Sequence, residues 1–226
     1  MLDYITKRIG DKAKYAVIWL HGLGADGHDF ESILPELNLP VNADIEFIFP
    51  HAPIRAITIN GGYQMRGWYD IRDMGSIDNH IDFEGIRDSI TQMNQLIEQV
   101  IDRGVASENI ILAGFSQGGA IATLTMLFST MRFGGLIALS TYLPGFNELK
   151  SHVQLTNQSI PITIAHGLYD PIVPIQAGEH LYHSLTDYQF QPTFHHYEVE
   201  HGLCLEEIKM IRAFICQTFQ LKLETL

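Results

Sequence analysis

Hydrophobic positions along the chain alternate between short apolar runs and longer stretches with helical spacing. The short runs are typical of strands and lie at residues 15–20, 45–49, 109–113, 135–140, 160–165 and 193–199. The longer stretches predict helices at residues 82–103, 116–131, 174–187 and 206–219. Strands that alternate with helices predict an α/β fold with a mostly parallel central sheet and helices on both faces. In such a sheet, ligands bind beyond the C-terminal ends of the strands.

We predict a single domain over all 226 residues, because one α/β unit of this length is ordinary and no repeat, linker or low-complexity run divides the chain. The segment at about residues 50–80 departs from the regular pattern. It contains Pro53 and the glycine pair at 61–62, and we predict that it is irregular. Long irregular loops in compact domains are usually functional, so we expect a lid-like role for this segment.

The charge and composition exclude several classes of protein. Asp and Glu number 26 against 14 Lys and Arg, a formal net charge of −12, which makes nucleic acid a poor partner. No uncharged apolar run approaches the length of a transmembrane helix, and the N-terminus lacks the apolar region of a signal peptide. The cysteines are Cys204 and Cys216, fewer than a disulfide-stabilised secreted domain usually carries. We therefore expect reduced thiols and a cytoplasmic location.

The pattern G-x-S-x-G occurs at residues 114–118, between a predicted strand and a predicted helix. In that context the serine occupies a strained turn that exposes its hydroxyl. The helix N-terminus behind it offers unpaired N–H groups to developing negative charge. We therefore predict that Ser116 is a nucleophile and not merely the N-cap of a glycine-rich turn.

A serine nucleophile needs a base and a carboxylate that orients the base. Asp170 directly follows a predicted buried strand, whereas Asp187 falls late in a helix, where a solvated face explains it. His201 follows the last predicted strand, whereas the other histidines after Asp170 fall within a helix or a strand. We predict Ser116, Asp170 and His201 as a catalytic triad, in that chain order.

Two backbone N–H groups are candidate donors to an oxyanion. One belongs to Gln117, the residue after the nucleophile, and the other to Leu23 in the loop His21–Gly24, whose glycines also suit a simple tight turn. The eleven histidines raise the alternative of a metal site, but no H-E-x-x-H or C-x-x-C spacing occurs. We predict neither a metal nor another cofactor.

These motifs together resemble the phospholipase/carboxylesterase family of α/β-hydrolases, which includes acyl-protein thioesterases and small carboxylesterases. The matching segments follow the family's order over nearly the whole chain: 21–26 with Phe30, 49–53, 57–58, 61–62, 68–70, 114–119, 166–167, 170–171, 173–174, and Tyr197 with His201. The resemblance implies the α/β-hydrolase fold, the same triad and the same oxyanion donors. Val199, Glu200 and Gly202 depart from the family's pattern around the histidine, which affects the expected substrate preference.

The resemblance also implies hydrolysis of a carboxylic ester or thioester through an acyl-enzyme. The substrate is expected to be an acyl ester or thioester, such as an acylated protein or a lysolipid, and the chain to be a monomer or a weak homodimer. Two alternatives stay open: a lysophospholipase that acts at membranes, and a non-catalytic α/β-hydrolase that serves as a binding module.

Apolar residues near the predicted catalytic positions are candidate contacts for an acyl chain. They are Leu23, Trp68, Ile71, Ile172, Val173 and Leu203. Trp68 has a second interpretation, in which it pins the long loop to the core, because large aromatic side chains serve both uses.

Overall fold

The computed structural model describes residues 2–73 and 80–221. The strands are β1 (Tyr4–Ile9), β2 (Tyr15–Leu20), β3 (Ile45–Pro50), β4 (Ile54–Ile57), β5 (Tyr63–Arg66), β6 (Ile110–Phe115), β7 (Gly135–Leu139), β8 (Ile162–Gly167) and β9 (Pro192–Tyr197). The helices are α1 (Phe83–Asp102), α2 (Gln117–Phe128), α3 (Phe146–Leu149), α4 (Ile175–Asp187) and α5 (Leu205–Thr218). Short 3₁₀ turns lie between several of these elements.

The central sheet has seven strands in the order β1-β3-β2-β6-β7-β8-β9. Within this sheet, as far as residues 2–73 and 80–221 show it, the neighbours from β3 to β9 along that order are parallel, and the pairing of β1 with β3 is antiparallel. The predicted α/β class and mostly parallel sheet are therefore confirmed. This topology directs the C-terminal ends of β2, β6, β8 and β9 to one edge of the sheet, where the candidate catalytic residues follow them.

A hydrophobic core lies on each face of the sheet, as the alternation of side chains along β2 shows. Ile18 and Leu20 belong to the core that α1, α2 and α4 cover, whereas Val17 and Trp19 belong to the core that α5 covers. Because both faces are covered by helices, the central strands are continuous apolar runs rather than alternating ones.

The longest helix, α1, closely matches the helix predicted at residues 82–103. Its N-cap is Asp82, whose side chain accepts a hydrogen bond from Gly85 N–H at 3.1 Å. Beyond its C-terminus Gly104 has a φ of 100°, a conformation that glycine adopts without strain. Among the described residues, no helix is both long enough and apolar enough to cross a membrane.

The segment at residues 50–80 is less irregular than predicted. Strands β4 and β5 pair as an antiparallel hairpin, so the prediction of an irregular chain is wrong for residues 54–57 and 63–66. Each strand has only four residues, too few for an alternating pattern to be recognised, and Gly61 and Gly62 make the turn with positive φ. Residues 74–79 of the segment lie outside the described residues, and its lid-like role stays a prediction.

Two further elements were not expected from the sequence. Strand β1 pairs along the outer edge of β3, and its burial does not alternate, because an edge strand is only partly covered. Helix α3 is a single turn of four residues, too short for helical spacing to show.

Candidate active site

Ser116 occupies a strained turn between the end of β6 and the start of α2. Its backbone has φ 53° and ψ −124°, an unfavourable combination for a residue with a Cβ atom. Glycines leave the space that this turn needs. A Cβ atom on Gly114 would lie 2.5 Å from the backbone of Gly118, and one on Gly118 would lie 2.4 Å from the carbonyl oxygen of His21. The hydroxyl of Thr141 donates to the Ser116 carbonyl oxygen at 2.6 Å and stabilises the turn.

Asp170 and His201 form a hydrogen-bonded pair on the loops that follow β8 and β9. His201 Nδ1 donates to Asp170 Oδ2 at 2.6 Å. Asp170 Oδ1 accepts the N–H groups of Ile172 at 2.9 Å and Val173 at 2.8 Å. The Asp170 side chain is fully buried, and that of His201 is 18 % exposed. Since Nδ1 is engaged with the carboxylate, Nε2 is the ring nitrogen that can accept a proton.

The imidazole of His201 packs against the turn that carries Ser116. Its ring centroid lies 4.6 Å from that of Phe115, the residue before Ser116 in the chain. No hydrogen bond between Ser116 Oγ and His201 is present among residues 2–73 and 80–221. A serine hydroxyl rotates freely, and catalytic hydrogen bonds often form only with substrate in place. The structure thus brings all three predicted triad residues to one edge of the sheet.

The backbone N–H groups of Leu23 and Gln117 are unused donors beside Ser116. Neither makes a hydrogen bond within the described part of the chain. Gln117 is the first residue of α2, and the first N–H groups of a helix have no partner inside it. The loop that contains Leu23 is close to the serine, because a Cβ atom on Gly22 would lie 3.5 Å from Ser116 Cβ.

A cleft of about 120 Å³ adjoins Ser116. Ile172 is 49 % exposed, whereas Val173, one residue further on, is buried. Both residues line the cleft, so part of its wall lies two and three positions after the predicted triad acid. Four of the six predicted acyl-chain contacts line the cleft: Leu23, Ile71, Ile172 and Val173.

The other two predicted contacts, Trp68 and Leu203, do not line the cleft. Trp68 is fully buried, and its indole Nε1–H donates to the carbonyl oxygen of His21 at 2.8 Å. The structure therefore supports the second interpretation of Trp68, in which it pins the loop to the core. Leu203 packs against the hydrophobic core on the α5 side of the sheet.

Two tyrosines of the cleft wall, Tyr69 and Tyr142, were not predicted as site residues. Their hydroxyls lie 2.5 Å apart and share a hydrogen bond. Burial raises the pKa of Tyr142 to about 12 and that of Tyr69 well above its usual value. The two tyrosines are 73 positions apart, and the sequence carries no signal that relates them.

His166 is a further residue of the site that the sequence did not identify as functional, although it belongs to one of the matching segments. Its Nε2 donates to the Val173 carbonyl oxygen at 2.8 Å and lies 3.7 Å from Asp170 Oδ2. Burial lowers the pKa of His166, which favours the neutral ring. His166 thus stabilises the turn that carries Asp170 through the Val173 carbonyl oxygen, and it does so without a positive charge.

The side chains of the described residues offer no obvious metal site. Over residues 2–73 and 80–221, no group of three or more His, Cys, Asp or Glu side chains is arranged to hold a metal ion.

The sheet order, the strained serine turn and the buried Asp–His pair define an α/β-hydrolase. Residues 5–219 match the phospholipase/carboxylesterase family, and the chain belongs to that family. It is a serine hydrolase of carboxylic esters and thioesters.

The chain is similar to curated proteins and to solved structures over most of its length. It is 35 % identical to acyl-protein thioesterase 1 of Kluyveromyces lactis over 221 residues, which cover 92 % of this chain and 94 % of that protein. It is 36 % identical to acyl-protein thioesterase 1 of Gibberella zeae over 207 residues, 88 % of each chain. The crystal structure of Arabidopsis thaliana SOBER1 superposes with a TM-score of 0.84 at 28 % identity, covering 90 % of this chain and 98 % of that one. At 24 % identity, Zea mays acyl-protein thioesterase 2 shows the same fold, with a TM-score of 0.85 over 96 % of this chain and 99 % of that one.

Proposed function

We propose that this serine hydrolase acts on acyl thioesters and carboxylic esters through an acyl-enzyme formed on Ser116. His201 is the general base, and Asp170 orients it. The observation that carries the proposal is the hydrogen bond of 2.6 Å between His201 Nδ1 and Asp170 Oδ2, buried next to the strained turn of Ser116. An orienting carboxylate and a serine on such a turn are the two features that activate a serine nucleophile.

The reaction begins when Ser116 Oγ attacks the substrate carbonyl carbon and His201 Nε2 takes the hydroxyl proton. The negative charge on the carbonyl oxygen is stabilised by the N–H groups of Leu23 and Gln117, each contributing about 3 kcal/mol. The intermediate collapses as the bond from the carbonyl carbon to the departing sulfur or oxygen breaks, and the protonated His201 gives its proton to that atom, which leaves as a thiol or alcohol. Water then attacks the acyl-enzyme while His201 takes a proton from it. The second intermediate collapses to release the acid as the bond to Ser116 Oγ breaks, and His201 returns the proton to Ser116 Oγ.

For the substrate we propose an S-acylated protein or peptide. Two kinds of support favour it: the names of the relatives at 35–36 % identity, and the apolar side chains of Leu23, Ile71 and Ile172 in the cleft wall. A lysolipid presents a similar acyl carbonyl and belongs in the same substrate panel.

We also expect the chain to be a monomer or a weak homodimer and to be located in the cytoplasm. The two cysteines, which form no disulfide, support that location.

The test is hydrolysis of p-nitrophenyl esters from acetate to palmitate, of an S-palmitoylated peptide and of a lysophospholipid, each with wild type and Ser116→Ala. We expect turnover that depends on Ser116 and that falls to the uncatalysed rate in the variant. An alkyl fluorophosphonate should label the wild type at Ser116 alone, because labelling needs an activated serine.

Ser32→Ala is the matched control, because Ser32 is exposed and lies outside the site. Wild-type activity in Ser116→Ala, or labelling of Ser116→Ala equal to that of wild type, refutes the proposed nucleophile. Turnover of the lysophospholipid alone, with none of the peptide, refutes the proposed substrate class.

A further inference from the structure

The spacing between the two oxyanion donors is not set by the sheet. Strands β2 and β6 are paired side by side as far as Leu20 and Gly114. Leu23 and Gln117 each lie three residues beyond these last paired positions. The distance between their N–H groups therefore depends on contacts outside the strand ladder.

The side chain of Gln117 makes one of these contacts. Its Oε1 accepts the backbone N–H of Trp68 at 2.8 Å, and its Nε2 donates to the carbonyl oxygen of Tyr69 at 2.7 Å. The residue is 1 % exposed. A primary amide supplies an acceptor and a donor on the same short side chain. The start of α2 is thereby joined to residues 68–69.

Residues 66–68 make the complementary contacts with the loop that carries Leu23. The indole Nε1–H of Trp68 donates to the carbonyl oxygen of His21 at 2.8 Å. The carbonyl oxygen of Arg66 accepts the N–H of Gly24 at 2.8 Å. His21 and Gly24, the residues on either side of Gly22 and Leu23, are thus both bound by the same short segment.

His21 is itself fixed from a third direction. Ala52 N–H donates to its Nε2 at 3.0 Å, and its Nδ1 donates to the Gly22 carbonyl oxygen at 2.7 Å. Burial lowers the pKa of His21 to about 4, so the ring is neutral near pH 7 and Nε2 stays an acceptor.

We propose that Arg66–Tyr69 and the Gln117 side chain form a bracket that sets the separation of the Leu23 and Gln117 N–H groups. Trp68 and the amide of Gln117 are its positioning groups. The bracket ties one donor segment to the other through Trp68, whose backbone binds α2 and whose indole binds the β2 loop. This inference rests on the proposed function, because it takes these two N–H groups as the oxyanion donors.

A misplaced donor weakens the binding of the oxyanion more than the binding of the substrate. Loss of the bracket is therefore expected to lower kcat and to leave KM nearly unchanged. It is also expected to lower the affinity for an inhibitor whose tetrahedral adduct places a charged oxygen between the two donors.

The experiment measures kcat and KM on the best p-nitrophenyl ester, and Ki for an alkylboronic acid that forms a tetrahedral adduct with the serine. The variants are Trp68→Phe, which removes only the indole N–H and one ring, and Gln117→Met, which removes the amide at similar volume. We expect kcat to fall by on the order of tenfold to a hundredfold in each, with KM changed less than about twofold. The Ki should rise by the same factor by which kcat/KM falls.

Trp19→Phe is the matched control for Trp68→Phe. Trp19 is equally buried, but its indole Nε1 has no hydrogen-bond partner among the described residues, and it faces the α5 side of the sheet. Trp19→Phe therefore loses comparable packing without loss of a hydrogen bond. We expect its kcat and its boronic acid Ki to stay at wild-type values.

The proposal is overturned if Trp68→Phe lowers kcat no more than Trp19→Phe, or if it raises KM with kcat unchanged, or if Ki does not follow kcat/KM. If Gln117→Met does not fold, the comparison of Trp68→Phe with Trp19→Phe is sufficient to support or overturn the proposal. Failure of the proposed function has a different signature, since turnover then survives in Ser116→Ala.

Discussion

The carboxylate of Asp170 has both of its oxygens engaged although it has no contact with solvent. Its Oδ1 accepts hydrogen bonds from two backbone N–H groups, and its Oδ2 accepts one from the Nδ1–H group of His201. A buried anion is tolerated only when its oxygens are satisfied in this way. Because Oδ2 accepts the hydrogen bond from Nδ1, the neutral ring of His201 is held in a single tautomer, with its proton on Nδ1.

The substitution Asp170→Asn tests that consequence. The new amide oxygen can still accept the N–H groups of Ile172 and Val173, so the amide nitrogen faces His201 Nδ1 and donates to it. The ring proton then moves to Nε2, and the base is lost. We expect kcat on a p-nitrophenyl ester to fall by on the order of 10³-fold to 10⁴-fold, with little change in KM. Asp187→Asn, an exposed change on α4, is the control, and a loss in Asp170→Asn of less than tenfold would contradict the assignment.

Helix α2 crosses the C-terminal end of β2 at a distance that only glycine permits. A Cβ atom on Gly118 would lie 2.4 Å from the carbonyl oxygen of His21 and 2.6 Å from that of Leu20. Both contacts are to backbone, which cannot rotate away as a side chain can. This close approach brings the loop of Leu23 near the N-terminus of α2, and within that approach the proposed bracket sets the separation of the Leu23 and Gln117 N–H groups.

We therefore expect Gly118→Ala to destabilise the protein by roughly 3 kcal/mol through overpacking. The measurement is equilibrium unfolding in urea, with the free energy compared at equal m-value. Gly202→Ala is the control, because a Cβ atom there meets no atom within 4 Å. Equal stability of the two variants would show that the helix can move away from β2 at little cost.

The elements that the sequence predicted are those whose signal is local. Helix α1 has its apolar spacing and its cap within one stretch, and the turn of Ser116 has its glycines within five residues of chain. The sequence could not decide between the two interpretations of Trp68, because the His21 carbonyl oxygen that accepts its indole N–H is 47 positions away in the chain. The hydrogen bonds of the Gln117 side chain were missed for the same reason. The backbone groups that its amide binds are 48 and 49 positions away, and such a separation leaves no local pattern in the sequence.

Two buried titratable groups give the whole molecule opposite dependences of stability on pH. Burial raises the pKa of Glu207 from 4.5 to about 7. The stability that it contributes is full below pH 4.5 and is lost as the pH rises through 7. Burial lowers the pKa of His21 from 6.5 to about 4. Its contribution is full above pH 6.5 and is lost as the pH falls through 4.

Glu207→Gln removes one of these two dependences and keeps the shape of the neutral acid. The free energy of unfolding of the variant, relative to wild type, should increase between pH 4.5 and pH 8 by up to about 3 kcal/mol. Urea unfolding at several pH values in that interval measures it. The control is Glu206→Gln, since Glu206 is the exposed neighbour on the same helix. A difference between Glu207→Gln and wild type that is constant with pH would contradict the raised pKa.

In the turn after β8, the main chain and the side chains have separate uses. Asp170 is held by the main chain of Ile172 and Val173, while the side chains of the same two residues face the cleft. Any amino acid except proline supplies that N–H. A substitution at either position therefore changes the surface of the cleft and keeps both N–H groups that bind Asp170. We expect single substitutions here to change substrate preference with no compensating change in Ser116, Asp170 or His201.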